Sequence, residues 1–146
     1  MNKLSYKLLR PGARAPERAT PGSAGYDLYA LLDRPVVIMP NKIAMIPTGI
    51  AIAIADKNTA AFIYARSGLA SKYGITLANS VGVIDSDYRG EIMVPLINHG
   101  DTPFTINTGD RFAQMVISKV MLPEFCENQD TFDSTERGTG GFGSTG

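Results

Sequence analysis

Gly82-Val83-Ile84-Asp85-Ser86-Asp87-Tyr88-Arg89-Gly90-Glu91-Ile92 sets two β-branched residues directly against a carboxylate. A polar turn with a second acid and an aromatic ring follows, and an apolar alternation resumes after Gly90. Val and Ile favour strands, whereas Asp, Ser and Gly favour turns, so the pattern predicts a β-hairpin whose tip is dense in reactive groups. Asp85 falls where ordered strand gives way to loop, a position that can hold a general base rigidly. The same Asp-x-Asp spacing also suits an Asx-turn or a solvated loop, and Tyr88 also suits a packing ring. The surrounding chain has to decide between them.

Working outward, short apolar runs alternate with turn signals along most of the chain. Strands are expected at Leu4 to Leu9, Ala24 to Ala30, Val36 to Met39, Lys42 to Ile46, Gly49 to Ile54 and Ala60 to Tyr64. Further strands are expected at Ile75 to Leu77, Val81 to Ile84, Glu91 to Ile97, Phe104 to Ile106 and Arg111 to Met121. Ile50, Ile52 and Ile54 alternate with alanines, which suits a strand packed on both faces. Pro95 marks its strand as an edge or a bulge. A single short helix is expected after Arg66, with Ser67 as N-cap and Leu69, Ala70 and Tyr73 on one side. Little helix, many short strands and frequent turns define an all-β fold, a barrel or a jelly roll. Residues 1–130 read as a β-barrel domain and 131–146 as a flexible Gly-rich lid.

Composition narrows the function. The 14 basic and 14 acidic residues cancel, so neither long duplex nucleic acid nor an anionic membrane is an expected partner. Glycine and proline make up about a sixth of the chain, above the usual share of roughly 12%. Cys126 and His99 are the only residues of their types, which excludes an internal disulfide and a Cys/His zinc set. Neither lies in a nucleophile motif. No apolar run approaches membrane-spanning length and the first ten residues do not read as a signal peptide. An intracellular, soluble protein is expected, in the cytoplasm, or in the nucleus for a eukaryotic or viral source.

Chemistry-bearing groups gather at turns and strand ends. Asp27 is an acid among apolar residues and needs a partner or a metal nearby. Arg66, Ser67 and Gly68 combine a guanidinium, a hydroxyl and free backbone N–H groups, a phosphate cradle or else an ordinary capped turn. Gln114 interrupts an apolar strand and needs a partner from the core or from a ligand. The terminal Arg137-Gly138-Thr139-Gly140-Gly141-Phe142-Gly143-Ser144-Thr145-Gly146 cannot build a core. It does offer Arg137 for charge, Phe142 for stacking, and Gly143, Ser144 and Thr145 for phosphate oxygens.

Five segments together carry a resemblance: Ala24-Gly25-Tyr26-Asp27-Leu28, Arg66-Ser67-Gly68-Leu69-Ala70, Gly82 to Gly90, Gly109-Asp110-Arg111-Phe112-Ala113-Gln114 and Arg137 to Gly146. In order and spacing they resemble the motifs of the trimeric dUTP diphosphatases over nearly the whole chain. One departure is Ala65, where the family commonly has Pro; no functional group is lost by it. The resemblance implies a jelly-roll-like distorted barrel, with C-terminal strand and tail exchanged in a homotrimer whose sites lie at subunit interfaces. It implies hydrolysis of dUTP to dUMP and pyrophosphate with Mg²⁺, which limits uracil incorporation into DNA and supplies dUMP for thymidylate synthesis.

Carried over by position, Asp85 becomes the base for the attacking water and Tyr88 the ring beneath the deoxyribose. Asn79, Gly82, Val83, Ile84 and Met93 form the uracil slot. Arg66, Ser67, Gly68 and Gln114 hold phosphates. Asp27 supports the metal's water shell or a neighbouring side chain. Arg137, Phe142, Gly143, Ser144 and Thr145 close the lid. Two other readings compete: a dCTP deaminase on the same fold, which typically lacks the Tyr and the Gly-Phe-Gly-Ser lid, and a nucleotide-binding jelly roll without catalysis.

Overall fold

The computed structural model describes residues 4–142. Its strands, in chain order, are β1 (Ser5–Leu8), β2 (Tyr26–Tyr29), β3 (Val36–Ile38), β4 (Ile43–Pro47), β5 (Ile50–Ala53) and β6 (Thr59–Ala65). The helix α1 (Ser67–Tyr73) follows, then β7 (Ile75–Leu77), β8 (Gly82–Ile84), β9 (Met93–Asn98), β10 (Phe104–Ile106) and β11 (Arg111–Lys119). The helix is far too short to cross a membrane, and no other among the described residues does so.

All pairing is antiparallel. The order β2-β11-β6-β8 makes one sheet and β4-β9-β7 a second, with two smaller ladders, β1-β5 and β3-β10. Leu28, Ile63 and Phe112 from the first sheet meet Ile46, Ile75, Val94 and Leu96 from the second in one buried cluster. The architecture is the expected all-β, jelly-roll-like one, but among the described residues no barrel closes. Several strands are only three residues long and end before they can pair around a complete ring. On β5, Ile50, Ala51 and Ile52 are all buried, as a strand covered on both faces requires.

The stretch 82–92 is not a hairpin. β8 pairs with β6, whereas β9 pairs with β4 and β7 in the other sheet. The loop crosses between layers, and the fully buried Ile92 pins its far end beside β5, where its N–H donates to the Ile50 carbonyl at 2.9 Å. Strand–turn–strand patterning specifies the two strands without specifying their partners.

Pro95 likewise sits in the central strand of its sheet rather than on an edge. Its carbonyl accepts from Ala78 N–H at 2.8 Å, so its nitrogen faces the same side, one residue past the end of β7. The missing donor therefore costs no ladder bond.

Candidate active site

Two groups of polar residues are assembled at opposite ends of β6. The first centres on Asp27, whose side chain is mostly buried on β2. Arg66 Nε lies 2.9 Å from one carboxylate oxygen and Arg111 Nη1 3.2 Å from the other. Asp27 was expected to support a metal's water shell or a neighbouring side chain; here it holds two guanidinium groups. A register shift between Arg111 and Ala113 makes this possible, because the extra residue breaks the two-residue alternation of β11. Arg111 then reaches Asp27 while Gln114 stands directly opposite it.

Gln114 Nε2 donates to the Ala65 carbonyl at 2.9 Å, which ties β11 to the residue just before Arg66. The other end of its amide rests on Gly25, where a Cβ would stand only 2.3 Å from Gln114 Oε1. Gly25 is therefore bare because the amide needs the space. Arg66 also donates from Nη1 to the Arg111 carbonyl at 3.2 Å.

Arg66, not Ser67, is the N-cap of α1, in extended conformation with no side-chain capping bond. Ser67 is the first helical residue. The N–H groups of Leu69 and Ala70 both return to the Arg66 carbonyl at 3.0 Å. Ser67 and Gly68 are exposed, and a Cβ at Gly68 would meet nothing within 4 Å. The protein's own packing does not require that glycine, so the open space beside it is available to a ligand. The helix ends at Gly74, whose φ of 69° is the left-handed cap that glycine adopts without steric cost. Adjoining Arg66 and Arg111 is a cleft of about 670 Å³ whose wall also carries Arg14, Tyr29, Tyr73 and Asp110. Arg14 lies 3.8 Å over the Tyr29 ring. Arg14, Arg66 and Arg111 outnumber the carboxylates of Asp27 and Asp110 by one, and that surplus of positive charge favours an anion there.

The second group lies on β8 and the loop after it. Gly82 is buried against Ile63, and a Cβ there would stand 3.8 Å from Asn79 Nδ2, so Asn79 and Gly82 are neighbours. Val83 is exposed, Ile84 partly buried, and Met93 opens β9 with its side chain half exposed. Asp85 is exposed at the strand end. Its carbonyl accepts from Tyr88 N–H at 3.2 Å. Arg89 Nη1 donates to the Ser86 carbonyl at 2.7 Å and the Tyr88 carbonyl at 2.8 Å, bracing the loop from within. The Tyr88 hydroxyl donates to the Glu91 carbonyl at 2.9 Å.

Asp85 follows Ile84, which pairs with Ala61, so it lies level with the start of β6 while Arg66 lies just past its end. At ~3.3 Å per residue the two groups are about 20 Å apart along one chain.

Beyond Lys119 the described residues form neither strand nor helix. Met121, Leu122, Phe125, Phe132 and Phe142 are exposed, and Arg137 Nε turns back to the Gly140 carbonyl at 3.0 Å. Gly143, Ser144 and Thr145, expected in the lid, lie outside the described residues. Sequence reasoning missed Arg111, Arg89, Gly25 and Glu91 as parts of these groups. Each lies within three positions of a residue already singled out, but nothing in a linear pattern shows which carboxylate, carbonyl or amide it meets.

Fold and site together define an all-β protein carrying an anion-favouring cradle and a separate, braced acidic loop. A family model described as dUTPase matches residues 12–146. The deoxyuridine 5'-triphosphate nucleotidohydrolase of Desulfitobacterium hafniense is 54% identical over 144 residues, covering 99% of this chain and 95% of that one. Among solved structures, a Staphylococcus bacteriophage 80alpha dUTPase with dUPNHPP aligns with a TM-score of 0.89 at 29% identity, covering 100% of this chain and 99% of that one. A dUTPase variant from phage phi11 of S. aureus, described for its coordination of a structural Mg(II) ion, aligns at 0.79 with 28% identity, over 88% and 98%. The chain belongs to the dUTPase family.

Proposed function

We propose that this protein hydrolyses dUTP to dUMP and pyrophosphate, with Asp85 as the base, and so limits uracil entry into DNA while supplying dUMP for thymidylate synthesis. The observation that carries the reading is Asp85 itself: an exposed carboxylate at a strand end, on a loop braced by Arg89, in a chain of this family. Asp85 takes a proton from water as the water oxygen bonds to the α-phosphorus. The bond from that phosphorus to the bridging oxygen breaks and pyrophosphate leaves. Such base assistance contributes roughly 10²–10⁴ in rate, and positioning with charge neutralisation supplies the rest.

Asn79, Gly82, Val83, Ile84 and Met93 form the slot for uracil, which rejects cytosine by mismatched donors and acceptors. Tyr88 lies beneath the deoxyribose and denies space to a 2′-hydroxyl. Arg66, Ser67, Gly68 and Gln114 receive the phosphates, supported by the excess of guanidinium groups along the neighbouring cleft. Arg137, Phe142, Gly143, Ser144 and Thr145 close over the nucleotide.

Among the described residues no three His, Cys, Asp or Glu side chains are placed to hold a metal, and both oxygens of Asp27 are engaged by arginines. With Asp27 so engaged, a Mg²⁺ ion would be held chiefly by the triphosphate, where it would supply charge neutralisation while Arg66, Ser67, Gly68 and Gln114 position the phosphates.

The separation of the two groups along β6 supports a homotrimer with shared sites, since one chain does not bring its base to its own phosphate donors. The exposed tail supports exchange of the C-terminal segment between subunits. The bacterial relatives support a cytoplasmic location.

Pyrophosphate release measured across dUTP, dTTP, dCTP and UTP tests the reading: dUTP is the preferred substrate, and ammonia release from dCTP would instead identify a deaminase. Asp85→Asn should bind dUTP normally and turn over at least about a hundredfold more slowly. Near-normal turnover by that variant would remove Asp85 from the chemistry.

A further inference from the structure

Gly90 lies at a bend in the loop before β9, a kind of place where glycine often supplies left-handed backbone angles. Here it does not: its φ lies outside the positive region that Gly12, Gly49, Gly74, Gly109 and Gly138 adopt. An alanine is conformationally admissible at that position. What opposes a side chain is Tyr88. A Cβ on Gly90 would lie 2.3 Å from Tyr88 Oη, 2.6 Å from Cζ and 3.1 Å from Cε2. The ring is folded back across the bare face of the glycine.

The next residue fixes how far the ring travels. The Glu91 carbonyl receives the Tyr88 hydroxyl at 2.9 Å. The Glu91 carboxylate accepts from Gly49 N–H at 2.7 Å and from Arg10 Nη1 at 3.1 Å, so its side chain is tied to two other segments of the chain. Ile92, fully buried, closes the frame: its carbonyl accepts the Thr48 hydroxyl at 2.6 Å.

We infer that Gly90 and Glu91 are positioning residues for sugar discrimination, Gly90 as the seat of the Tyr88 ring and Glu91 as its stop. The inference rests on the reading of Tyr88 as the ring beneath the deoxyribose, and deepens it. A ring displaced by a new methyl group has to move by more than an ångström to restore ordinary contact. A shift of that size at a substrate-positioning group is worth up to about a hundredfold in rate. It also opens the space in which a 2′-hydroxyl would fit, so the loss should fall on selectivity as well as on turnover.

The test compares wild type, Gly90→Ala, Tyr88→Ala and the double variant, measuring kcat/KM for dUTP and UTP together with thermal melting. Tyr88→Ala should lower the dUTP/UTP ratio, and Gly90→Ala should lower it by roughly tenfold or more. In the Tyr88→Ala background, Gly90→Ala should change the ratio no further, an outcome that a general loosening of the loop does not produce. If Tyr88→Ala leaves the ratio unchanged, the sugar role of the ring fails and this inference with it. If Tyr88→Ala lowers the ratio but Gly90→Ala does not, or acts equally with and without the ring, only the seating role fails. Should Gly90→Ala alone not fold, folding of the double variant supports the seat; failure of both shows that the glycine is needed by the backbone and overturns it.

Discussion

At the scale of single residues, Asp27 does the most with one side chain. Its two oxygens separately engage Arg66, beside the cradle, and Arg111, on the neighbouring strand. The aspartate is mostly buried, whereas Arg66 is partly exposed and Arg111 half exposed, so water screens part of the attraction. Asp27→Asn keeps the shape but removes the charge, leaving two guanidinium groups facing each other across a neutral amide. The expected cost is about 1–3 kcal/mol of unfolding free energy, from the weakened charge-assisted bonds. Urea denaturation checks it, and an unchanged midpoint would show that the arginines are held by other contacts. Because Arg66 is one of the proposed phosphate donors, the same variant should raise KM for dUTP more than it lowers kcat.

Among the elements, β11 is the connector: it pairs with β2 and β6, carries Arg111 and Gln114, and leads into the tail. Its far end is fastened by Lys119, which bonds Asp56 in the turn before β6. That contact, with the Asn58 N–H and Thr59 hydroxyl, holds the Asp56 carboxyl down from its ordinary 3.8 to about 2. Folding thus favours the ionised form. The pair stabilises fully above pH ~4 and its contribution disappears as the pH falls through about 2. Asp56→Asn should melt below wild type at pH 7 in low salt, by a small margin because the pair is exposed, and the difference should vanish near pH 2. A gap that persists in acid would assign the effect to packing. Strand positions were legible from residues 4 to 119 because β-branched alternation and Gly/Pro punctuation are local signals. Partners were not: the stretch after Gly82 looks like a hairpin until Ile92 is seen buried against the other layer, and Pro95 looks like an edge until β7 is seen to stop short. Ser67 fits the N-cap preference, yet the extended residue is Arg66, because its backbone carries the extended course of β6 one residue past the strand's end. The site was legible as residue types. That Asp27 serves two arginines, and that Gly25 and Gly90 are bare for the sake of a neighbouring side chain, follows from contacts between segments far apart or folded back on themselves.

Considered whole, the molecule is organised as parts of a site rather than as one. Asp85 and its loop lie at one end of β6, the proposed phosphate donors at the other, and the described tail beyond Val120 hydrogen-bonds only within itself. Its apolar residues stand exposed, while a groove edged by Leu4, Tyr6, Tyr26 and Ile117 lies open beside the end of β11. In the proposed trimer these surplus surfaces find each other, and each site draws its base, its phosphate donors and its lid from different copies. That arrangement has a consequence no single-chain site shares. Asp85→Asn should be inactive for want of a base, and a chain lacking Gly138 to Gly146 should stay assembled but lose most turnover for want of closing donors. Coexpressed, the two defective chains should recover activity, because some sites take Asp85 from a truncated subunit and the tail from an Asp85→Asn subunit. Random mixing in a closed ring makes about a quarter of the sites intact. Recovery should follow the proportion of the two chains, peaking at equal amounts, with the assembly state checked by light scattering. If mixed trimers form and remain as inactive as their parents, base and lid come from the same chain, and the division of the site among copies is wrong.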